Sequence, residues 1–216
     1  MNAWAAPPRP TLLTAGGVVV LMLLAAVAQP DAGVSPFVTR VAVLALAGGA
    51  AYLLDDAAAQ LTSVTPPGVW HRRGPGLSSG AGVLAAAWVV ILLVLGWQDS
   101  RPPVAIATGE LTVLCLASVA AAATLFRRGD PQPGARVAPV VVLSGVCVIM
   151  AESVLRTTLL LPWDRPGPGR ALELAWMGLG LLAAVVLLLA SRDPASPGAA
   201  LWVRSPRRRS TDSGSA

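Results

Sequence analysis

The sequence predicts an all-α protein, a polytopic transmembrane bundle of six helices. Three observations predict it. Hydrophobic residues make up 55% of the 216 and charged ones 12%, about half the ~25% usual for soluble domains. The mean hydropathy is +0.67. Six apolar runs, each near the ~20 residues a bilayer-spanning helix needs, are separated by clusters of Pro, Gly and Asp.

In order, the spans run 11–28, 37–54, 80–97, 104–126, 137–161 and 171–190. The first, TLLTAGGVVVLMLLAAVA, ends in Ala26-Val27-Ala28, which resembles a signal-peptide cleavage site. Its length and the five runs behind it favour a retained span. Arg40 lies near the start of the second span and Glu110 within the fourth. Glu152 and Arg156 lie within the fifth, and Glu173 in the first turn of the sixth. The breakers are Gln29-Pro30-Asp31, Gly74-Pro75-Gly76, Pro102-Pro103, Asp130-Pro131 and Pro166-Gly167-Pro168-Gly169. Residues 1–10 form a short N-terminal segment. Residues 191–216, ending SPRRRSTDSGSA, read as a disordered basic tail.

All sixteen basic residues are Arg. With both termini in the cytoplasm, eleven Arg fall on inner segments and four on outer ones, Arg156 being left out as intramembrane. The positive-inside rule therefore orients the chain that way in the cell membrane. Trp97, Trp163 and Trp176 then lie near the outer interface, and Trp70 and Trp202 near the inner one. These are depths that Trp favours.

The same composition excludes much chemistry. Without Lys there is no GxxxxGK[ST] phosphate loop and no Schiff-base lysine. One His, His71, cannot supply a bis-histidine haem or a His-rich zinc site. Cys115 and Cys147 sit in apolar runs and read as small buried hydrophobes. No cofactor, metal or nucleic-acid partner is expected. The excess of Arg reflects topology rather than nucleic-acid binding, and the partner that composition does imply is the lipid bilayer.

Enzymatic readings are weak. Asp55-Asp56 invites a diphosphate–magnesium site, but Ala59 stands where DDxxD needs its last acid, and no second cluster follows. Glu152 and Arg156 form ExxxR, similar to a motif of CAAX-type intramembrane proteases, which also need membrane-embedded histidines that are missing here. An intramembrane enzyme is therefore the least favoured class.

Two groups of residues remain. Glu110 and Arg156 reach similar depth on the neighbouring spans four and five, with Glu152 one turn deeper; the three are expected to form one network in the outer half of the bundle, with Arg40 and Glu173 higher near the same face. Charges at such depth normally face a bundle interior or a wet cavity. The network reads either as a structural clamp or as a substrate or proton site. The second group lies in the long segment between spans two and three: Asp55, Asp56, Gln60, Trp70, Arg72 and Arg73. Two acids at a helix C-terminus oppose its dipole. Asp56 is therefore expected to cap a short helix over 57–64, ended by Pro66-Pro67. Such a helix suits docking to a soluble partner; the plainer reading is a solvated connector.

Three stretches carry a resemblance: LLDDAAAQLTSVTPP (53–67), GELTVLCLAS (109–118) and LLLASRDPA (187–195). With them the chain resembles small six-span, permease-like membrane subunits of ABC transporters from high-GC actinobacteria. The resemblance implies a transport role with a separate ATPase, a six-helix exporter half, and the 55–73 loop as the coupling element. Pro162 to Arg170 is too short for the re-entrant helices of larger exporters, which fits an accessory subunit. The alternative is a membrane scaffold or regulatory subunit without transport. Substrate, direction and homo- or hetero-oligomeric state are not written in the sequence.

Overall fold

The computed structural model describes residues 9–28, 36–55, 69–97, 104–128, 130, 132–155 and 170–191. Among them are six α-helices and no strand: α1 (Arg9–Ala28), α2 (Pro36–Ala51), α3 (Val69–Trp97), α4 (Val104–Arg127), α5 (Pro133–Leu155) and α6 (Arg170–Ser191). A 3-10 turn, Tyr52–Leu54, closes α2.

These residues form helices because an apolar chain in an apolar medium must satisfy its backbone internally. Five helices are long and apolar enough to cross a membrane: Arg9–Ala28, Pro36–Leu54, Leu77–Trp97, Val104–Arg127 and Pro133–Glu152. In α6, 22 residues long, the apolar run Leu174–Ala190 makes up most of the helix. Large apolar side chains cover the outside. Leu13, Val27, Leu143, Val140, Leu181 and Leu188 are each more than 60% exposed. An apolar exterior on helices of this length is that of a membrane-embedded protein.

The centre is α2. Two-thirds of its span (67%) is buried, against 22–39% for the other four spans. It packs on α1, α4 and α5, while α3 lies against α1, and α6 against α4. Its Ala- and Gly-rich sequence explains the position, because small residues let helix backbones approach in a medium that offers no hydrophobic drive between them. Gly48 lies against Val142 and Ala138 of α5, and Gly49 against Thr14 of α1 and Leu84 of α3. Gly145 of α5 leaves room for Leu44. One core joins α1 to α4 around Met22, Val43, Leu46, Ile91 and Leu95; a second joins the end of α2 to α4 and α5 around Ala51, Leu54, Ala122 and Val137. Two polar contacts stitch the first core. Thr11 Oγ1 donates to the Gly49 carbonyl at 3.3 Å, and Trp88 Nε1 to Thr108 Oγ1 at 3.1 Å.

Element boundaries differ from expectation in two places. Helix α3 begins at Val69, eleven residues before the expected Gly80, so Trp70, Arg72 and Arg73 lie on its first turns rather than in a loop. Gly74-Pro75-Gly76 does not interrupt it. Helix α5 begins at Pro133, four residues before the expected Val137, and continues through Pro139. A proline inside a helix forfeits one backbone hydrogen bond, but membrane helices tolerate Pro and Gly where local adjustment or neighbours compensate. Arg156 to Leu161 of the expected fifth span, and the tail from 192, lie outside the described residues.

Candidate polar site between α2, α4 and α5

Arg40 is the fifth residue of α2 and lies about 6 Å along the axis from Pro36. Glu110 is the seventh residue of α4, about 9 Å from Val104. Glu152 lies one turn before the last described residue of α5. Helices α2 and α4 start at the end of the bundle where α5 finishes. The three charges therefore meet at one level.

Arg40 NH1 and Glu152 Oε2 form an ion pair at 3.0 Å, with side chains 16% and 11% exposed. Glu110 is 2% exposed. Beneath the charges lies a cavity of about 260 Å³ between the three helices. Arg40 and Leu44 of α2, Glu110 and Ser118 of α4, and Ser144 and Val148 of α5 contribute to its wall, which is otherwise apolar. The two serines are tied to their own helices: Ser118 Oγ donates to the Leu114 carbonyl at 2.8 Å and Ser144 Oγ to that of Val141 at 3.2 Å. Ser144 is exposed, so the cavity meets the molecular surface there.

The sequence places Arg40 above a network of Glu110, Glu152 and Arg156; the structure instead makes Arg40 the direct partner of Glu152. The reason is adjacency: α5 packs chiefly along α2 rather than α4, and the two partners are 112 residues apart. Arg156 lies outside the described residues. Glu173 sits in the first turn of α6, and its side chain is likewise outside them.

At the opposite end, Asp55 resolves the dipole conflict in an unforeseen way. Its backbone is extended after the 3-10 turn (φ −72°, ψ 125°), and its Oδ1 accepts the Gly134 N–H at 2.7 Å. The acid that follows one helix thus caps the N-terminus of another, where orphan N–H groups and the positive end of the dipole favour a carboxylate. Asp130 serves the same helix start: its Oδ1 accepts the Gln132 N–H at 3.1 Å, and its Oδ2 pairs with Arg136 NH1 at 3.1 Å. Arg127 NH1 donates to the Leu189 carbonyl at 2.8 Å, closing the last turn of α6. Sequence reasoning missed the roles of Asp130, Arg127 and Arg136. The signal for the first is Asp130 followed by Pro133 at the first helical position, a turn-and-cap pattern.

Of the loop residues assigned to docking, Asp56, Gln60 and the expected 57–64 helix lie outside the described residues. Trp70, Arg72 and Arg73 are described only as part of α3. Asp55 alone has a described side chain, and it faces α5. Among the described residues no group of three or more His, Cys, Asp or Glu could hold a metal ion. No protein-family model, curated protein or solved structure matches the chain.

Proposed function

We propose that the chain is a six-span protein of the cytoplasmic membrane, with both termini inside, that serves as the permease-like subunit of a transporter energised by a separate ABC-type ATPase. Its solute site is the cavity below Arg40 and Glu110. The observation that carries this reading is the cavity, a charged recess inside an otherwise apolar helical assembly. Intramembrane charges are costly, at about 2.5–3.5 kcal/mol on insertion scales, and mark substrate or ion pathways. The missing phosphate loop and the resemblance supply the argument for a separate ATPase. The eleven-to-four Arg asymmetry supplies the argument for orientation.

Topology is tested with single cysteines at Ser100 and Ser210, in a background lacking Cys115 and Cys147. An impermeant thiol reagent on intact cells is expected to label Ser100→Cys alone. Labelling of Ser210→Cys would reverse the orientation.

The partner is tested by replacing residues 57–64 with a Gly-Ser segment. An ATPase that co-purifies with the native chain should be released, while the helices stay inserted. Retention of the ATPase would remove this loop as the docking element.

A second reading, a non-transporting scaffold or regulatory subunit, draws on the two clasps. Arg40 and Glu152 neutralise each other, and Asp55 is engaged within the bundle. Under that reading Glu110→Gln leaves every activity of the complex unchanged.

A further inference from the structure

The cavity has a direction. Its charged end, at Arg40 and Glu110, lies within two helical turns of the starts of α2 and α4. Its other end is marked by Ser118 and Ser144. Ser144 is twelfth in the 23-residue α5, about 16 Å from the start of that helix and close to its middle. It is exposed where the neighbouring Val140 and Leu143 are also exposed, 64% and 65%. The recess therefore opens sideways at the level of the hydrocarbon core, between α4 and α5, and runs from there to a charged cap near one interface. Leu44, Leu114, Ala117, Val141, Val148 and Ile149 line the passage. A molecule already in the bilayer would enter with its chain in the mouth and its head at the charges.

The head chemistry follows from the cap. Arg40 carries five N–H donors, one of which bonds Glu152, and its planar fork can add a phosphate oxygen to the contacts it makes within the bundle. A carboxylate such as Glu110 has about four acceptor sites, enough to add a partner to the contacts it makes within the bundle. A guanidinium recognises phosphate and a carboxylate recognises an ammonium, each by charge-assisted hydrogen bonds. At about 260 Å³ the recess falls just below the ~300–1,000 Å³ of small-molecule sites. That is room for one chain segment, with the rest of a two-chain lipid outside.

We propose that the cavity between α2, α4 and α5 binds an aminophospholipid drawn sideways from the bilayer, its phosphate at Arg40, its ammonium at Glu110, and one acyl chain leaving past Ser144. The proposal rests on the reading of the cavity as a solute site and needs no ATPase.

The test uses the full chain in phosphatidylcholine vesicles doped with phosphatidylethanolamine bearing a photoactivatable group on one acyl chain. After irradiation, adducts should concentrate at residues 114–118 and 141–149. They should exceed those on the exposed α6 face at Leu181 and Leu182 by about tenfold. Unlabelled phosphatidylethanolamine should compete. Phosphatidylglycerol, which lacks the amine, a long-chain primary amine, which lacks the phosphate, and water-soluble phosphoethanolamine should each compete about tenfold less well. Ser144→Trp, at an exposed position, should block the mouth and abolish the concentrated labelling. Glu110→Gln should erase the preference for phosphatidylethanolamine over phosphatidylglycerol; if that variant misfolds, the competition series on the native chain decides.

Adducts spread evenly over α1, α5 and α6, or unchanged by Ser144→Trp, would overturn the proposal. Equal competition by phosphatidylglycerol, the long-chain amine or phosphoethanolamine would overturn the assignment of the head. Labelling is read without any ATPase. Lost labelling with an intact ATPase complex sinks the lipid and spares the transporter, and the reverse outcome does the opposite.

Discussion

Glu152→Leu is expected to destabilise the bundle by about 2–4 kcal/mol, toward the lower end of the ~3–5 kcal/mol for breaking a fully buried ion pair, because the partners are 16% and 11% exposed. The guanidinium of Arg40 would stay at the α2–α5 contact without the carboxylate that neutralises it at 3.0 Å. Arg40→Met/Glu152→Leu should recover most of the loss, because removing both charges from an apolar site is often neutral or stabilising. The measurement is a double-mutant cycle by denaturant titration in mixed micelles. If Glu152→Leu unfolds within about 1 kcal/mol of the native chain, the pair is solvated and weighs no more than a surface salt bridge. The cycle also bears on function. A double variant that is as stable as the native chain but inactive would mean that the charges are kept for the solute and not for the fold.

Gly134→Ala is expected to be the second large effect, although it adds one methyl group. A Cβ at residue 134 would sit 2.8 Å from Tyr52 Cα and 2.8 Å from Asp55 Oδ2. The first neighbour is backbone and cannot rotate aside. Either the 3-10 turn moves off α5 or α5 moves off the turn, and in both cases the 2.7 Å bond from the Gly134 N–H to Asp55 is lost. Overpacking costs about 1–3 kcal/mol and a lost cap about 0.5–2, so the total is roughly 1.5–5 kcal/mol. Asp55→Ala alone should show only the cap contribution. Combined with Gly134→Ala it should give no rescue, because Tyr52 remains in the way. Recovery in the double variant would mean that the carboxylate, not the backbone, sets the spacing.

These two contacts also mark what the sequence could and could not disclose. The helices among the described residues, and most of their bounds, are legible because hydrophobic run length is a local property: the sequence predicts 104–126 and Val104–Arg127 is found. The start of α3 was not legible, since Gly74-Pro75-Gly76 is a strong breaker in water and a weaker one in a membrane helix. Arg40, Glu110 and Glu152 stand out by themselves as charges in apolar runs. Their pairing does not, because it depends on α2 rather than α4 lying along α5, and no short-range pattern encodes which helices touch. Asp55 is visibly misplaced for its own helix, but the helix it serves starts 78 residues later in the chain. The cavity itself is made of ordinary residues such as Leu44, Ser118 and Val148, which become a wall only once three helices converge.

The long sequence separation of the two clasps has a consequence for biosynthesis. Arg40 and Glu152 are 112 residues apart, and Asp55 and Gly134 are 79 apart. At about 5–20 residues per second, roughly 6–22 seconds of translation separate the emergence of Arg40 from that of Glu152. During that interval α2 and the turn that closes it carry an arginine and an aspartate that still lack Glu152 and Gly134. A nascent chain stopped before α5 therefore lacks both clasps, and until the fifth helix has left the ribosome α2 is held only by its packing on α1, α3 and α4.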